Sequence, residues 1–139
     1  MTLIVVDQAE KHFIDLVLAV GYTLRLYKNN VTAGLTQAQK DALTESSFTE
    51  ATFTGYAART LTGGSWTTGT GNPATGTYAQ QSFASSADQS AQAIYGYYVT
   101  RTLDGKLEWF EPFTSPVTVQ FNGDMILVTP AITLADTGD

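Results

Sequence analysis

The chain has 139 residues, a length that fits one domain and leaves little room for a second with its own core. Hydrophobic residues make up 43% and charged residues only 14%, well under the roughly 25% charge of an ordinary domain, so its surface is rich in Thr, Ser and Gly. Thirteen acids against seven Lys and Arg give a net charge of -6, which argues against direct binding of DNA or RNA through phosphate neutralisation, and the absence of cysteine excludes a disulfide framework, a thiolate metal site and a catalytic thiol.

The apolar start, Leu3, Ile4, Val5 and Val6, does not read as a signal peptide. It has no basic n-region, and the charged or polar residues Asp7, Glu10, Lys11, His12 and Asp15 interrupt the apolar stretch. Leu16 to Val20 is far short of the roughly 20 apolar residues that span a bilayer. The expectation is a protein made in a cytoplasm, with no membrane partner.

From Asp7 to Leu18 the residues Ala9, Phe13, Leu16 and Val17 fall on one helical face opposite Gln8, Lys11 and Asp15, with Asp7 able to cap the start. Gly21 ends this helix, and Tyr22 to Tyr27 alternates as a strand with Tyr22, Leu24 and Leu26 on one side. Asn29, Asn30 and Gly34 break the pattern, and Thr36 to Leu43 predicts a short helical turn behind a threonine cap. The segment from Phe48 to Leu61 predicts extended chain with a bulge or bend at Gly55. Thr62 to Thr77 is a Gly/Thr-rich loop or very short edge strand anchored by Trp66, and Tyr78 to Ala84 is a plausible strand.

Two hairpins are expected near the C-terminus. Ala93 to Leu103 and Lys106 to Phe113 flank Asp104-Gly105, and Val117 to Phe121 and Asp124 to Val128 flank Asn122-Gly123. Both dipeptides favour a two-residue type I′ turn, whose central residues need positive φ. Pro112, Pro116 and Pro130 suit strand edges or ends. About eight short strands with one N-terminal α-helix predict a mainly β single domain over residues 1–139, an antiparallel β-sandwich or jelly roll. Residues 1–6 read as a possible N-terminal arm and residues 135–139 as a flexible tail.

Residues that could carry chemistry are few, and no enzyme, cofactor or metal site is expected. His12 is the sole histidine and reads as a surface or boundary helix residue. Glu108 and Glu111 could supply a glycosidase pair, but a separation of three along a regular strand points them to opposite faces unless Pro112 or a bulge redirects one. The Gly69–Gly76 stretch lacks the Lys-Ser/Thr of a phosphate loop. Asp136 and Asp139 lack the ligand spacing of a calcium loop, and the Asn30-Val31-Thr32 sequon has meaning only in a secretory pathway. The aromatics Tyr95, Tyr97, Tyr98, Trp109, Phe110 and Phe113 split by alternation, Tyr95 and Tyr97 facing one way and Tyr98 the other. One part then belongs to the core and the rest to an outer face or an interface, which aromatics favour.

The run LRLYKNNVTAGLT (Leu24 to Thr36), then FTEATFTGYA (Phe48 to Ala57), Trp66, IYGYYVTRT (Ile94 to Thr102), LEWFEPF (Leu107 to Phe113), an Asn-Gly turn and LVTPAITL (Leu127 to Leu134) resembles a family of small virion proteins of tailed bacteriophages. The matching blocks are strand and turn positions, and the resemblance transfers no catalytic residue. The chain departs from the family in Ala33, where a proline is usual, and in the longer insertion LTQAQKDALTESS. The resemblance implies a capsid decoration or cement protein, a homotrimer that binds the major capsid protein on the outer capsid surface of the virion, assembled in the host bacterial cytoplasm. A tail-associated structural or adaptor protein and a carbohydrate-binding module are the alternatives. The residues expected at an interface are Leu3, Ile4, Val5, Val6, Trp66, Tyr97, Tyr98 and Trp109.

Overall fold

A computed structural model of the chain describes residues 3–71 and 73–134. It is mainly β, with antiparallel sheets and one longer helix near the N-terminus, as expected. In chain order the elements are α1 (Asp7–Leu18), β1 (Tyr22–Tyr27), α2 (Gln37–Asp41), β2 (Arg59–Leu61), β3 (Thr67–Gly69), β4 (Ala74–Thr77), β5 (Gln81–Ala84), β6 (Gln92–Arg101), β7 (Leu107–Val119), β8 (Met125–Val128) and β9 (Ala131–Leu134). Two compact units are distinguished, each assembled from separate stretches of chain. The described residues of 3–21, 61–81 and 128–134 form one, and residues 22–60 and 82–127 form the other.

In the first unit α1 packs on the antiparallel sheet β3-β4-β9. Its bounds match the periodicity, but its cap does not. Val6 occupies the N-cap in an extended conformation with no side-chain cap bond, and Asp7 is the first helical residue, where its charge complements the positive end of the helix dipole. The buried row is Glu10, Ile14 and Leu18, while on the apolar face read from the sequence Phe13, Leu16 and Val17 are exposed and Ala9 is partly covered. The reason lies in β4. A Cβ on Gly76 would overlap Leu18 Cδ1 and touch Ile132 Cγ2 and Ile14 Cδ1, so the missing side chain makes the hollow into which the Ile14–Leu18 row settles. Trp66 is buried with its ring edge-on to Tyr78 at 5.1 Å, and serves as the anchor expected of it.

The second unit holds the four-stranded sheet β2-β1-β6-β7 and the pair β5-β8, with the end residues Leu61, Gln81 and Val128 lying at its boundary. β1 runs antiparallel to β6 from Tyr22 opposite Arg101 to Tyr27 opposite Gly96. Gly96 through Thr100 are all buried, so both faces of β6 are covered and alternation sends neither Tyr97 nor Tyr98 to the outside. Phe48 stacks on Tyr98 with ring centres 4.7 Å apart and meets Tyr27 edge-on at 5.0 Å. Tyr95 packs against this same cluster, where the β6–β7 register is irregular between Ile94 and Gly96. The segment after Phe48 is extended but bridged to β1 only at Tyr27–Glu50, and it bends at Gly55, whose φ is +92°. The short helix behind Thr36 forms with a full capping box to Gln39.

The turn chemistry departs from expectation. No described non-glycine residue has positive φ, so neither Asp104-Gly105 nor Asn122-Gly123 makes a type I′ turn. The β6–β7 hairpin forms, but its loop is wider: Arg101 N–H donates to the Lys106 carbonyl and Gly105 N–H to the Arg101 carbonyl. At the second site Asp124 N–H donates to the Phe121 carbonyl with Gly123 at +92°, a turn of type II geometry. It does not close a hairpin, because β8 pairs with β5 while β7 pairs with β6.

Replacing Gly76 by valine is expected to lower unfolding stability by about 1–3 kcal/mol or more through overpacking against Leu18 and Ile14; a urea titration of G76V against the parent reads it.

Candidate functional site

The carboxylates singled out for catalysis are engaged apart from each other. Glu111 accepts a hydrogen bond from the Tyr97 hydroxyl at 2.6 Å, whereas Glu108 sits 3.7 Å from Arg101 at the point where the β6–β7 register slips between Val99 and Thr100. Arg101 also closes an ion pair on Asp104, within the hairpin loop, and this pair holds the Asp104 carboxyl down at about 2. His12 is exposed on α1, its ring 6.2 Å from that of Phe13. Among the described residues no group of three or more His, Asp or Glu side chains is placed to hold a metal ion, and no helix is long and apolar enough to cross a membrane. The Gly69–Gly76 stretch joins β3 to β4, antiparallel strands with no helix between them. Asp136, Asp139 and the whole 135–139 tail lie outside the described residues, as does Asn72.

The residues expected at an interface divide sharply. Trp66, Tyr97 and Tyr98 are largely core side chains, buried because their strands and loops are covered on the sides they face, although Trp66 borders a pocket of about 210 Å³ with Asp15, Leu18 and Thr68. Trp109 is half-buried, its ring edge-on to Tyr22 at 5.2 Å. Beside it Lys40 and Asp41 of α2, Leu43 and residues Leu107 to Phe110 line a pocket of about 340 Å³. The arm residues Leu3, Ile4 and Val6 are 81, 72 and 60% exposed, and Val5 is partly covered.

The sequence reading missed a second exposed group. Phe13, Leu16, Val17 and Val20 are 48, 57, 42 and 45% exposed, and their spacing of three, one and three puts them on one side of α1 and its C-terminal end. Seven of the thirteen large apolar side chains exposed among the described residues thus lie within residues 3–20, a concentration of the kind found at interaction surfaces, unlike scattered exposure. The signal was present in the sequence: with Ile14 and Leu18 added to Phe13, Leu16 and Val17, the second half of α1 is apolar on two sides, and such a helix has two sides to cover.

Two charged groups of α1, Lys11 and Asp15, are tied to the neighbouring strand and to each other. Lys11 pairs with Asp15 at 2.7 Å, and Thr68 of β3 donates to Asp15 at 2.6 Å while accepting from Lys11 at 3.2 Å. The Lys11 and Thr68 hydrogen bonds hold the Asp15 carboxyl below its ordinary value. What remains facing outward is an apolar stripe, bordered by His12 beside Phe13 and continued by an apolar arm, a surface suited to protein contact.

No family model, curated protein or solved structure matches the chain.

Because the folded-state value of Asp104 is depressed, its ion pair favours the folded hairpin above the ordinary aspartate range near 4, and that contribution disappears as pH falls from there through about 2. A carboxyl NMR titration is expected to place Asp104 at the low end of that window, and R101Q to return it toward the ordinary value.

Proposed function

We propose that the chain is a structural protein of a tailed-bacteriophage virion that binds the outer capsid surface as a decoration or cement protein, working as a homotrimer against the major capsid protein. The observation that carries this reading is the exposed apolar segment Leu3, Ile4 and Val6 leading into the apolar outer row of α1, on a chain whose charged content is only 14%. Such a surface gains by being covered, and a neighbouring protein in a shell covers it. The ordered blocks from Leu24 to Leu134 that resemble small phage virion proteins support the same reading. They correspond here to β1 and its following turn, the Phe48–Ala57 segment, the β6–β7 hairpin, and β8 with β9.

Quantitative mass spectrometry of separated heads and tails tests the location. A ratio near one copy per major capsid protein in heads is the expected result, and a few copies confined to tails would overturn it in favour of a tail component. A chain lacking residues 1–6 is expected to keep its circular dichroism spectrum and lose attachment to shells; full attachment would remove the arm from the contact. A saccharide-binding role rests mainly on Trp109 and its pocket, since Trp66 is nearly buried at the edge of a smaller one. Retention of shell attachment in W109A, with no glycan-array signal for the parent, is the outcome expected here.

A further inference from the structure

We propose that the outward row of α1 is a helix-to-helix seam that takes α1 of a second copy of this chain. The seam residues are Ala9, Phe13 and Leu16 of α1, continued by Val6 at its N-cap and Val20 just past its C-cap, separated in order by three, four, three and four positions. That alternation is the pattern by which one helix sets its side chains into the gaps of another along a shallow crossing. It is distinct from the row that packs on β4, where Glu10, Ile14 and Leu18 succeed one another at intervals of four. One helix therefore carries two apolar rows, and only one of them is covered among the described residues.

Three observations favour a second copy over another occupant. A seam of alternating threes and fours is matched by a helix with the same alternation, and an identical chain brings one by construction. The seam positions carry no charge, so a chain of net charge -6 meets itself there without placing like charges in contact, while Lys11 and Asp15 are tied to each other and to Thr68. The area reaches what an interface needs when the arm takes part. The seam side chains Val6, Phe13, Leu16 and Val20 expose the equivalent of about two whole apolar residues, and with the flanking Leu3, Ile4 and Val17 about four, on the order of the ~800 Å² per partner that a stable interface buries. An anionic lipid surface is a poor occupant, because α1 carries Asp7, Glu10 and Asp15 against a single Lys11 and such surfaces select basic helices.

This self-association deepens the virion reading by naming the contact between copies, yet its test is independent of where the protein resides. Sedimentation velocity of the full chain is expected to show an oligomer, and F13E/L16E to weaken association by about 100-fold or more while leaving the circular dichroism spectrum unchanged, since both side chains are already open to water. The parent has no cysteine, so L16C supplies a clean second readout. Oxidation is expected to link L16C chains in pairs and to leave T114C, on β7, unlinked. A parent that remains monomeric at high concentration, or an oligomer that survives F13E/L16E with no linkage through L16C, would overturn the proposal. If the monomeric parent attaches to shells and F13E/L16E does not, the seam belongs to the shell protein and the proposal also falls, with the virion reading intact.

Discussion

The rotation of α1 about its own axis decides what the first unit shows to its surroundings. Gly76 opens a hollow in β4 that accepts Leu18, with Ile14 alongside, and once that row is seated the helix has no freedom left to hide Phe13, Leu16 or Val17. A Cβ at position 76 would displace the end of the Leu18 side chain, so the missing side chain favours the inward row and, with it, the outward one. Glu10 shows what this orientation costs. It is 2% exposed in the inward row, and neither carboxylate oxygen has a hydrogen-bond partner among the described residues. An unpaired polar group is expensive to bury, so the packing of Ile14 and Leu18 must outweigh it.

The second unit is organised around β6, the strand with neighbours on both edges and side chains covered on both faces. Leu24 and Leu26 of β1 face it in register, and the stacked pair of Phe48 and Tyr98 ties the long loop after β1 to the same strand. Burial pushes the Tyr27 and Tyr98 hydroxyls up to about 12, as expected of phenols held in a largely apolar setting. These tyrosines act as apolar fillers, and aromatic richness in β6 therefore reports core construction.

Local signals in the sequence were reliable where the physics is local. The bounds of α1 and β1, the threonine cap of α2 and the bend at Gly55 all arise from residues within a few positions of one another. Pairing was not legible in the same way: Asn122-Gly123 marks a turn correctly, but whether β8 joins β7 or β5 depends on contacts some forty positions away. Turn type failed because Asp104 and Asn122 keep negative φ, leaving each glycine alone to supply the left-handed residue. For the candidate surface, periodicity identified the apolar row of α1 but not its partner, since a pattern of side chains states that a face is to be covered without stating by what.

The far edge of the larger sheet has a consequence for behaviour at high density. Among the described residues β7 has no further strand beyond it, an arrangement that ordinarily invites other chains to add on indefinitely. Here Pro112 and Pro116 remove two backbone donors from that strand, and the register jumps so that Ile94 faces Val117 while Gly96 faces Pro112. An edge interrupted in this way is a poor template for continuous pairing. Crowded copies therefore find little at this edge on which to extend the sheet in register, and the two prolines act as a local brake on pairing there.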